Sequence, residues 1–304
     1  MRARIWTAIV LSSIGWGTAG IATRAALQRG VGPYTIIGMR VLIAAALVFA
    51  YSAVRRRPLP SRRLWALGGL IGLTNVTAPY ILFTLSVQYA SAGFLSLIMT
   101  NIPLATVVWA HFLLADEKFN RRKALGLALA VAGVSLLLVT GDSGLGSAGR
   151  AGLSAALALG GVVVSAFGGV HARRHAPDHD VLDMAGPQFA LGAVVLVAIM
   201  LVVEGLPAGI QAEGWGLLVY MALVGTFMPF LLFFWMLQRV SATTASLPSY
   251  LIPLIAVGGG ALLLDEQVTW LMAAGGSLIL TGVVLTERAD PSLPPAGAGP
   301  EVAP

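Results

Sequence analysis

Arg40 is the only charged residue that lies deep inside an apolar stretch of this 304-residue chain. It follows the turn Gly30-Val31-Gly32-Pro33 by about seven helical residues, or ~10 Å of helical rise. That is a long reach for a side chain that would bring its charge to the membrane interface. A cation at this depth needs a partner. The partner could be a backbone carbonyl, the carboxylate of a bound solute, or a second helix to which Arg40 is tied.

Carboxylates are absent from the same depth. All 13 Asp and Glu residues fall in loops or at the ends of apolar stretches. A proton or an organic cation bound inside a membrane usually needs a buried carboxylate, so the pattern argues against a proton-driven pump for lipophilic cations. Neutral, zwitterionic or anionic solutes fit the positive potential better. His111 and His171, at the ends of apolar stretches, could titrate near neutral pH. A lone histidine at such a position is, however, more often an interfacial residue than a functional one.

Polar and aromatic residues inside the apolar stretches are the candidates for the wall of a cavity. Polar groups are costly in lipid unless they are paired, so they should face inward. Ser96, Thr100 and Pro103 share one helical face by their spacing, and residues 246–253 repeat that face. The same side chains could instead bond neighbouring helices to each other. The candidate set is Trp16, Arg40, Asn75, Tyr80, Ser96, Thr100, Asn101, Phe167, Gln188, Trp235, Ser249 and Tyr250.

Ten apolar stretches must position these residues. Hydrophobic residues make up 57% of the chain and charged residues only 11%, against about 25% charged residues in a soluble domain. We therefore predict an all-α integral membrane protein. A span needs roughly 20 apolar residues. The stretches that qualify run approximately over residues 5–27, 34–54, 64–87, 91–114, 122–140, 151–171, 181–203, 215–237, 242–264 and 268–286.

Basic residues predict the orientation. With the N-terminus in the cytoplasm, all 19 Lys and Arg residues fall on the cytoplasmic side except Arg24, Arg29, Arg40 and Arg150, a strong positive-inside bias. The net charge of +6 is then a topology signal and no sign of a nucleic-acid partner. Both termini are predicted to be cytoplasmic, in a cell (inner or plasma) membrane. Residues 289–304, rich in Pro, Gly and Ala, are predicted to be a disordered tail.

The chain repeats itself at a spacing of about 150 residues. Two proline pairs belong to the repeat, Pro79 with Pro229 and Pro103 with Pro253, and each proline removes a backbone donor inside a predicted helix. We expect hinges that bend these spans around a central cavity, although static packing kinks are common in membrane helices. The other matches at this spacing are Trp65 with Trp215, Gln88 with Gln238, and Ser91 with Ser241.

Five spans in each copy is an odd number, so the second copy must enter the membrane in the opposite sense. We predict two inverted five-helix repeats, residues 1–140 and 141–288. Earlier positions match more loosely, with Trp16 against Phe167 and Arg40 against Gln188.

Small residues mark the last span of each copy. Gly126 and Gly133 recur as Gly275 and Gly282, which predicts close helix packing. The contact could form within the chain or across a homodimer.

Neither a catalytic nor a metal-binding arrangement emerges from the sequence. Cysteine is absent, and no nucleophile–base pair, phosphate loop or metal-ligand spacing is present. The pairs Asp116-Glu117 and Asp265-Glu266 are adjacent residues at span ends, which do not converge on a reacting atom. We expect no enzyme activity and no cofactor.

The ordered set of features, present twice, resembles the drug/metabolite transporter superfamily and its EamA-type members. The stretches that carry the resemblance are SAGFLSLIMTNIPLATVVWAHFLLADEKFNRRKALGLALAVAGVSLLL and SATTASLPSYLIPLIAVGGGALLLDEQVTWLMAAGGSLILTGVVL. The resemblance covers about residues 5–287 and implies a cavity lined by both repeats. It implies a secondary transporter whose partners are a small-molecule substrate and the lipid bilayer.

Export of small metabolites, such as amino acids or related neutral, zwitterionic or anionic compounds, is the expectation, by alternating access. The alternatives are an uptake or exchange permease of the same fold, an integral-membrane lipid-modifying enzyme, and a membrane scaffold. The scaffold would leave the paired prolines and Arg40 unexplained.

Overall fold

A computed structural model describes residues 2–114, 120–141, 143–145, 149–175 and 179–287, and every regular element in these ranges is helical. Asp116, Glu117 and the predicted tail lie outside the described residues. Two π-helical segments, Gly72–Thr77 (π1) and Leu223–Phe227 (π2), interrupt the α-helices. The α-helices are Arg2–Gln28 (α1), Pro33–Val54 (α2), Arg62–Ile71 (α3), Ala78–Tyr89 (α4), Ala92–Met99 (α5), Ile102–Leu113 (α6), Arg121–Thr140 (α7), Ala151–His175 (α8), Val181–Val203 (α9), Ala212–Ala222 (α10), Met228–Leu237 (α11), Ala242–Ala245 (α12), Pro248–Leu264 (α13) and Trp270–Glu287 (α14).

Eight helical stretches in the described chain are long and apolar enough to cross a membrane. They correspond to the first eight predicted spans, with α3, π1 and α4 forming one stretch and α10, π2 and α11 another. The two remaining apolar helices, Pro248–Leu264 and Trp270–Thr286, are shorter. Their length is at the lower limit of about 17 residues for a span.

The π-helical segments explain how Pro79 and Pro229 fit inside long helices. A proline has no N–H and clashes with the preceding turn of an α-helix. One residue separates each proline from the end of the preceding π-helical segment. The N–H before it reaches back five positions, from Ala78 to the Leu73 carbonyl and from Met228 to the Leu223 carbonyl. The predicted kink at these two prolines therefore has the form of a widened turn.

The other proline pair behaves differently in the two halves. Helices α5 and α6 are separated at Thr100–Asn101, directly before the α6 turn that contains Pro103. In the matching stretch the break falls between α12 and α13, directly before Pro248. Pro253 lies inside α13, which continues through it. The sequence pairs Pro103 with Pro253. The backbone instead pairs the break before Pro103 with the break at residues 246–247, which lies six to seven residues before Pro253.

Helix pairs fix the arrangement of the bundle. The main packing pairs are α7 with α14, α2 with α9, α1 with α13 and α4 with α8. The glycine faces of α7 and α14 meet within the chain, since a Cβ added at Gly133 would lie 2.6 Å from the Gly275 carbonyl oxygen. Such close approach is possible only because neither helix has a side chain at the contact.

Carboxylates from loops close the ends of α2 and α9. The Glu204 carboxylate accepts hydrogen bonds from the backbone N–H groups of Tyr34 (2.9 Å) and Thr35 (2.7 Å) at the start of α2. At the opposite end, Asp180 accepts a hydrogen bond of 2.6 Å from Arg57. The Arg57 guanidinium holds the pKa of Asp180 below its usual range, and Asp180 raises the pKa of Arg57. Both ends of this helix pair are therefore held by charge-assisted hydrogen bonds.

Glu266 makes a similar contact between the two halves of the chain. Its carboxylate accepts hydrogen bonds from the N–H groups of Ala92 (2.9 Å) and Gly93 (3.4 Å), at the start of α5. Burial raises the pKa of Glu266, while the two amides partly offset this effect. The loop between α13 and α14 is thereby fixed to the turn between α4 and α5.

Candidate functional site

A cavity of about 90 Å³ lies between helices from both halves of the chain. We call it the aromatic chamber, because five aromatic side chains line it: Trp16, Tyr80, Phe83, Phe230 and Phe233. The remaining lining residues come from π1, α4, α5, α6, α8, α12, α13 and the α12–α13 break: Asn75, Pro79, Met99, Ile102, Thr106, Ser165, Gly169, Ala242, Ala245, Ser246, Ser249 and Ile252.

Edge-to-face contacts hold the aromatic wall together. The Trp16 ring centroid lies 5.7 Å from that of Phe230 at an angle of 87°, and 6.0 Å from that of Phe233. Tyr80 meets the same Phe230 ring edge-on at 6.3 Å. These separations are in the range in which aromatic pairs attract each other beyond the effect of burial. The chamber wall is thus a connected network that joins α1, α4 and α11.

Asn75 is the polar residue that distinguishes the aromatic chamber. It belongs to π1 and lines the cavity, with only 6% of its surface exposed. Its side-chain Nδ2 has no hydrogen-bond partner among the described residues. By contrast, Thr106 on the same wall donates to the Ile102 carbonyl of its own helix. A buried unpaired donor costs free energy unless a ligand or water accepts from it, so Asn75 holds an unsatisfied donor beside the chamber.

A second cavity of about 70 Å³ adjoins the first. We call it the arginine chamber, because Arg40 is its charged lining residue. The two chambers share a wall formed by Trp16, Tyr80, Phe83 and Met99. The other residues that line the arginine chamber are Ala19, Gly20, Thr23, Thr84, Val87 and Leu95.

Arg40 is held by neutral partners on π2 and α4. Its Nε donates to the Thr226 hydroxyl at 3.0 Å, and its Nη2 donates to the Gly225 carbonyl at 3.0 Å and to the Tyr80 hydroxyl at 3.4 Å. The guanidinium carbon also lies 4.3 Å from the centroid of the Tyr80 ring. Arg40 is only 6% exposed, so the charge is buried.

Because Pro229 has no N–H, it leaves the Gly225 carbonyl without its usual helical donor, and Arg40 donates to this carbonyl instead. In an α-helix the Gly225 carbonyl would accept a hydrogen bond from the residue four positions later, which is Pro229 and has no N–H. The Arg40 Nη2 supplies the missing donor. Thr226, the next residue in π2, donates to the Met221 carbonyl five positions back and accepts from Arg40. Of the partners considered from sequence, Arg40 therefore has a backbone carbonyl and a tie to a second helix.

Several sequence candidates lie on the two chambers. Trp16 and Tyr80 line both, Arg40 lines the arginine chamber, and Asn75, Ser249 and Pro79 line the aromatic chamber.

The other candidates are not among the lining residues of either chamber. Ser96, Thr100 and Asn101 make hydrogen bonds within α5 and the α5–α6 break, to the carbonyls of Gly93, Ser96 and Ile98. Phe167 meets Trp109 edge-on and stacks with His171, and Trp235 packs against the Arg239 guanidinium. The remaining members of this group are Gln188, Tyr250, Pro103, Pro229 and Pro253.

Sequence reasoning missed Phe83, Met99, Phe230 and Phe233. Apolar residues in an apolar chain carry no compositional signal. A usable signal was nevertheless present in the repeat, because Tyr80 and Phe230 are 150 residues apart, as are Phe83 and Phe233. The same spacing relates Asn75 to Gly225.

Comparison with known proteins gives a family. Residues 4–139 and 152–288 each match the model of the EamA-like transporter family. The chain is 25% identical over 286 residues to the uncharacterized transporter YoaV of Bacillus subtilis, covering 93% of this chain and 96% of YoaV. It is 26% identical over 275 residues to the uncharacterized inner membrane transporter YedA of Escherichia coli, covering 89% and 87% of the two chains.

A solved structure shares the fold. One crystal structure of a protein superposes with a TM-score of 0.69 at 18% identity, covering 96% of this chain and 98% of that one. At this identity the likeness concerns the fold alone.

Proposed function

The chain belongs to the EamA-like transporter family, and on that premise we propose that it exports small organic solutes by alternating access. It is a multi-pass membrane transporter and not an enzyme. Its partners are a small-molecule substrate and the lipid bilayer. Direction, substrate class and mechanism are the proposed part.

One observation carries the proposal: the aromatic chamber is built by both family-matched segments. Its wall combines Trp16, Asn75 and Tyr80 from the first segment with Phe230, Phe233 and Ser249 from the second. A solute bound there touches both halves, so a relative movement of the halves would change its access to each side of the membrane. Trp16, Asn75, Tyr80 and Ser249 are proposed to contact substrate.

We propose ten spans in two inverted halves, residues 1–140 and 141–288, with α13 and α14 as the last two spans. The packing supports this arrangement. The π1 segment packs on α8 and α9, and the π2 segment packs on α1 and α2. In each half, the third span, which contains the π-helical segment, therefore packs against the first two spans of the other half. The widened turns before Pro79 and Pro229 are proposed hinges, as are the break before Pro103 and the region of α13 that holds Pro253.

Both termini are proposed to be cytoplasmic, in the cell membrane. In this orientation the turns at Tyr89–Ser91 and residues 264–270 are external. Several contacts join the chain there: Arg150 N–H with the Tyr89 carbonyl at 2.8 Å, Ser91 N–H with the Ser143 carbonyl at 2.8 Å, and Glu266 with the start of α5. These contacts support a conformation that is closed to the outside.

Exposed loop residues allow a matched test of orientation. The chain contains no cysteine, so single cysteines can be labelled without background. Leu59 and Leu206 are both 79% exposed and lie in loops on opposite ends of the bundle. We expect an impermeant thiol reagent to label Leu206→Cys in intact cells and Leu59→Cys only after permeabilisation. The reverse pattern would invert the proposed topology.

The glycine faces on α7 and α14 are used within the chain, because Gly126 packs on Gly282 and Gly133 on Gly275. A homodimer, which the sequence allowed, would therefore need a different surface.

Flux in proteoliposomes tests the proposed function. The purified chain would be reconstituted and assayed with a panel of neutral, zwitterionic and anionic solutes, with and without a pH gradient. We expect saturable movement of at least one class, reduced by Trp16→Ala and unchanged by Val131→Ala, whose side chain is exposed on α7. No saturable flux of any solute, together with lipid turnover, would instead favour a lipid-modifying enzyme.

A further inference from the structure

The buried Arg40 charge has no counter-ion in the described part of the chain. All three of its hydrogen-bond acceptors are neutral, and the Nη1 group donates no hydrogen bond to a described residue. The two ion pairs among the described residues are Arg29–Glu213 and Arg57–Asp180, which lie at the helix ends. A buried cation without an anion is expensive. The arginine chamber is thus prepared for an anionic group that the described part of the chain does not provide.

Neither chamber offers a carboxylate or an imidazole that could balance a positive group. Their described lining residues include no Asp, Glu or His. The Tyr80 ring, which could attract a ligand cation, already has the Arg40 guanidinium 4.3 Å from its centroid. An ammonium group in either chamber would meet the Arg40 potential without a carboxylate to balance it. The electrostatics therefore discriminate between an organic anion and the amino acid of the same shape.

The chamber volumes set the size of the ligand. A water molecule takes a share of about 30 Å³ in liquid, and a cavity of about 150 Å³ binds benzene. The arginine chamber, about 70 Å³, suits a carboxylate group. The aromatic chamber, about 90 Å³, suits a short aliphatic body, with Asn75 available to an acceptor atom. A molecule that spans the shared wall of Trp16 and Tyr80 would place its anion at Arg40 and its apolar body among the rings.

We propose that this transporter selects compact apolar monocarboxylates without an amino group, such as short 2-oxo acids, over the corresponding amino acids. The proposal rests on the proposed transport function and names its substrate class. Arg40 binds the carboxylate through Nη1, while Gly225 and Thr226 hold the guanidinium in place. Amino acids are disfavoured because the described residues that line the chambers include no Asp or Glu to pair with the ammonium group.

A matched pair of solutes tests the selectivity. Leucine and 4-methyl-2-oxopentanoate share the carbon skeleton and the carboxylate, and differ in carrying an ammonium or an oxo group. Initial rates would be measured in proteoliposomes at neutral pH, after subtraction of flux in protein-free vesicles. We expect kcat/KM for the 2-oxo acid to exceed that for leucine at least tenfold. Equal or faster leucine transport would overturn the substrate class but leave the transport function standing. Flux of neither solute above the protein-free level would overturn the substrate class too, and the broader solute panel would then decide whether transport itself stands.

Variants of Arg40 assign the selectivity to its charge. Arg40→Gln should lower 2-oxo acid transport at least tenfold, and Arg40→Lys should retain part of it, because the charge remains and the forked geometry is lost. Arg29→Gln is the matched control, since it removes a cation at the end of α1, outside both chambers. An unchanged 2-oxo acid rate in a well-folded Arg40→Gln protein would overturn the proposal.

Binding to the unmodified protein covers the case in which Arg40 variants do not fold. A ligand that binds the native state raises the midpoint of thermal unfolding. We expect 4-methyl-2-oxopentanoate, but not leucine at the same concentration, to raise the Tm of the purified wild-type chain. A larger shift with leucine would contradict the proposal independently of any variant.

Discussion

The two π-helical segments share a backbone device but differ in chemistry. Each is followed by a proline after one intervening residue, and each packs on the first two spans of the other half. At π2, Arg40 from α2 bonds the Gly225 carbonyl that Pro229 leaves free. At π1, the residue that matches Arg40 in sequence is Gln188 on α9, and it forms no such bond. The two stretches share the geometry of the broken helix, while the polar residue facing it differs.

The difference is visible in the state of the buried polar groups. Gln188 is fully buried, and neither its Nε2 nor its Oε1 has a hydrogen-bond partner among the described residues. The Nδ2 of Asn75, on π1, is likewise unpartnered, whereas Thr226 on π2 has several partners. Unpaired polar groups remain close to π1. Around π2 the Thr226 hydroxyl and the Gly225 carbonyl are hydrogen-bonded, and only the Nη1 group of the neighbouring Arg40 has no partner among the described residues. The asymmetry shows that π2 holds the charged Arg40 side chain through hydrogen bonds, whereas the buried amides of Gln188 and Asn75 near π1 keep polar atoms without a described partner.

The largest expected effect is the loss of transport when Arg40 is replaced by a neutral residue, compared with a substitution of the matched residue Gln188. Arg40→Gln should reduce transport at least tenfold, or about 1.4 kcal/mol of transition-state stabilisation, because the anion loses its counter-charge. Gln188→Leu, at the matched position, should change transport by less than about twofold, since its amide bonds to no described group. Initial rates in proteoliposomes compare the two. Equal losses would show that the halves are functionally equivalent and would break the comparison.

The second effect concerns the aromatic pair Tyr80 and Phe230, which are 150 residues apart. The Tyr80 hydroxyl contacts Arg40 at 3.4 Å and Thr226 at 3.2 Å, and Phe230 has no such group. Tyr80→Phe should therefore weaken substrate binding by about 1 kcal/mol, the usual net value of one hydrogen bond, and raise KM roughly fivefold. The aromatic wall is preserved in this variant. A change in kcat with constant KM would assign the hydroxyl to gating instead.

The third effect is on stability and has the opposite sign. Gln188→Leu removes two buried polar atoms that have no partner among the described residues, so the free energy of unfolding should rise by about 1 kcal/mol. Thermal unfolding in detergent measures the change, with Gln238→Leu as the control, because the Gln238 amide donates to the His179 carbonyl at 2.7 Å. A lower Tm for Gln188→Leu would reveal a hidden partner for the amide.

The smallest effect sharpens the comparison at the helix starts. Ser91 and Ser241 cap α5 and α12 in the same way, through Phe94 N–H (2.9 Å) and Thr244 N–H (3.0 Å). Glu266 adds a second cap at α5. Burial raises the pKa of Glu266, so the folded state binds the proton more tightly than the unfolded one. The stabilisation by this proton is complete below the ordinary glutamate pKa of about 4.3 and is lost as the pH rises through the raised value.

Glu266→Gln should remove that loss and flatten the dependence of Tm on pH above about 4.3. Ser241→Ala, at the start of α12, is the control that alters a cap without altering a titrating group. Parallel pH curves for Glu266→Gln and the wild type would show that Glu266 titrates equally in both states.

The sequence predicted the spans better than the cavity. Run length and turn residues are local signals, and eight helical stretches of the described chain agree with the first eight spans that they predicted. Arg40, Trp16, Asn75, Tyr80 and Ser249 were recognisable because a polar or amphipathic residue in an apolar chain stands out. Phe230 and Phe233 were not, because only the three-dimensional fold decides which of many apolar side chains face a cavity.

Local backbone geometry was also beyond the sequence. The prolines predicted kinks, but a π-helical turn and an interrupted helix are both solutions to a missing N–H. Packing decided between them at Pro79 and at Pro103. Polarity alone also does not decide which way a hydroxyl group faces, because a short hydroxyl side chain can bond its own helix, as Ser96 and Thr100 do.

Cysteine accessibility at the two chambers tests the central claim most directly, namely that they form one path alternately open to each side. Ser249 on the aromatic chamber and Thr23 on the arginine chamber are each 4% exposed, and the chain has no other cysteine to react. We predict that a membrane-impermeant thiol reagent labels both Ser249→Cys and Thr23→Cys from either side of the membrane, and that substrate slows all four reactions. Labelling of each site from one side only, unaffected by substrate, would contradict the account.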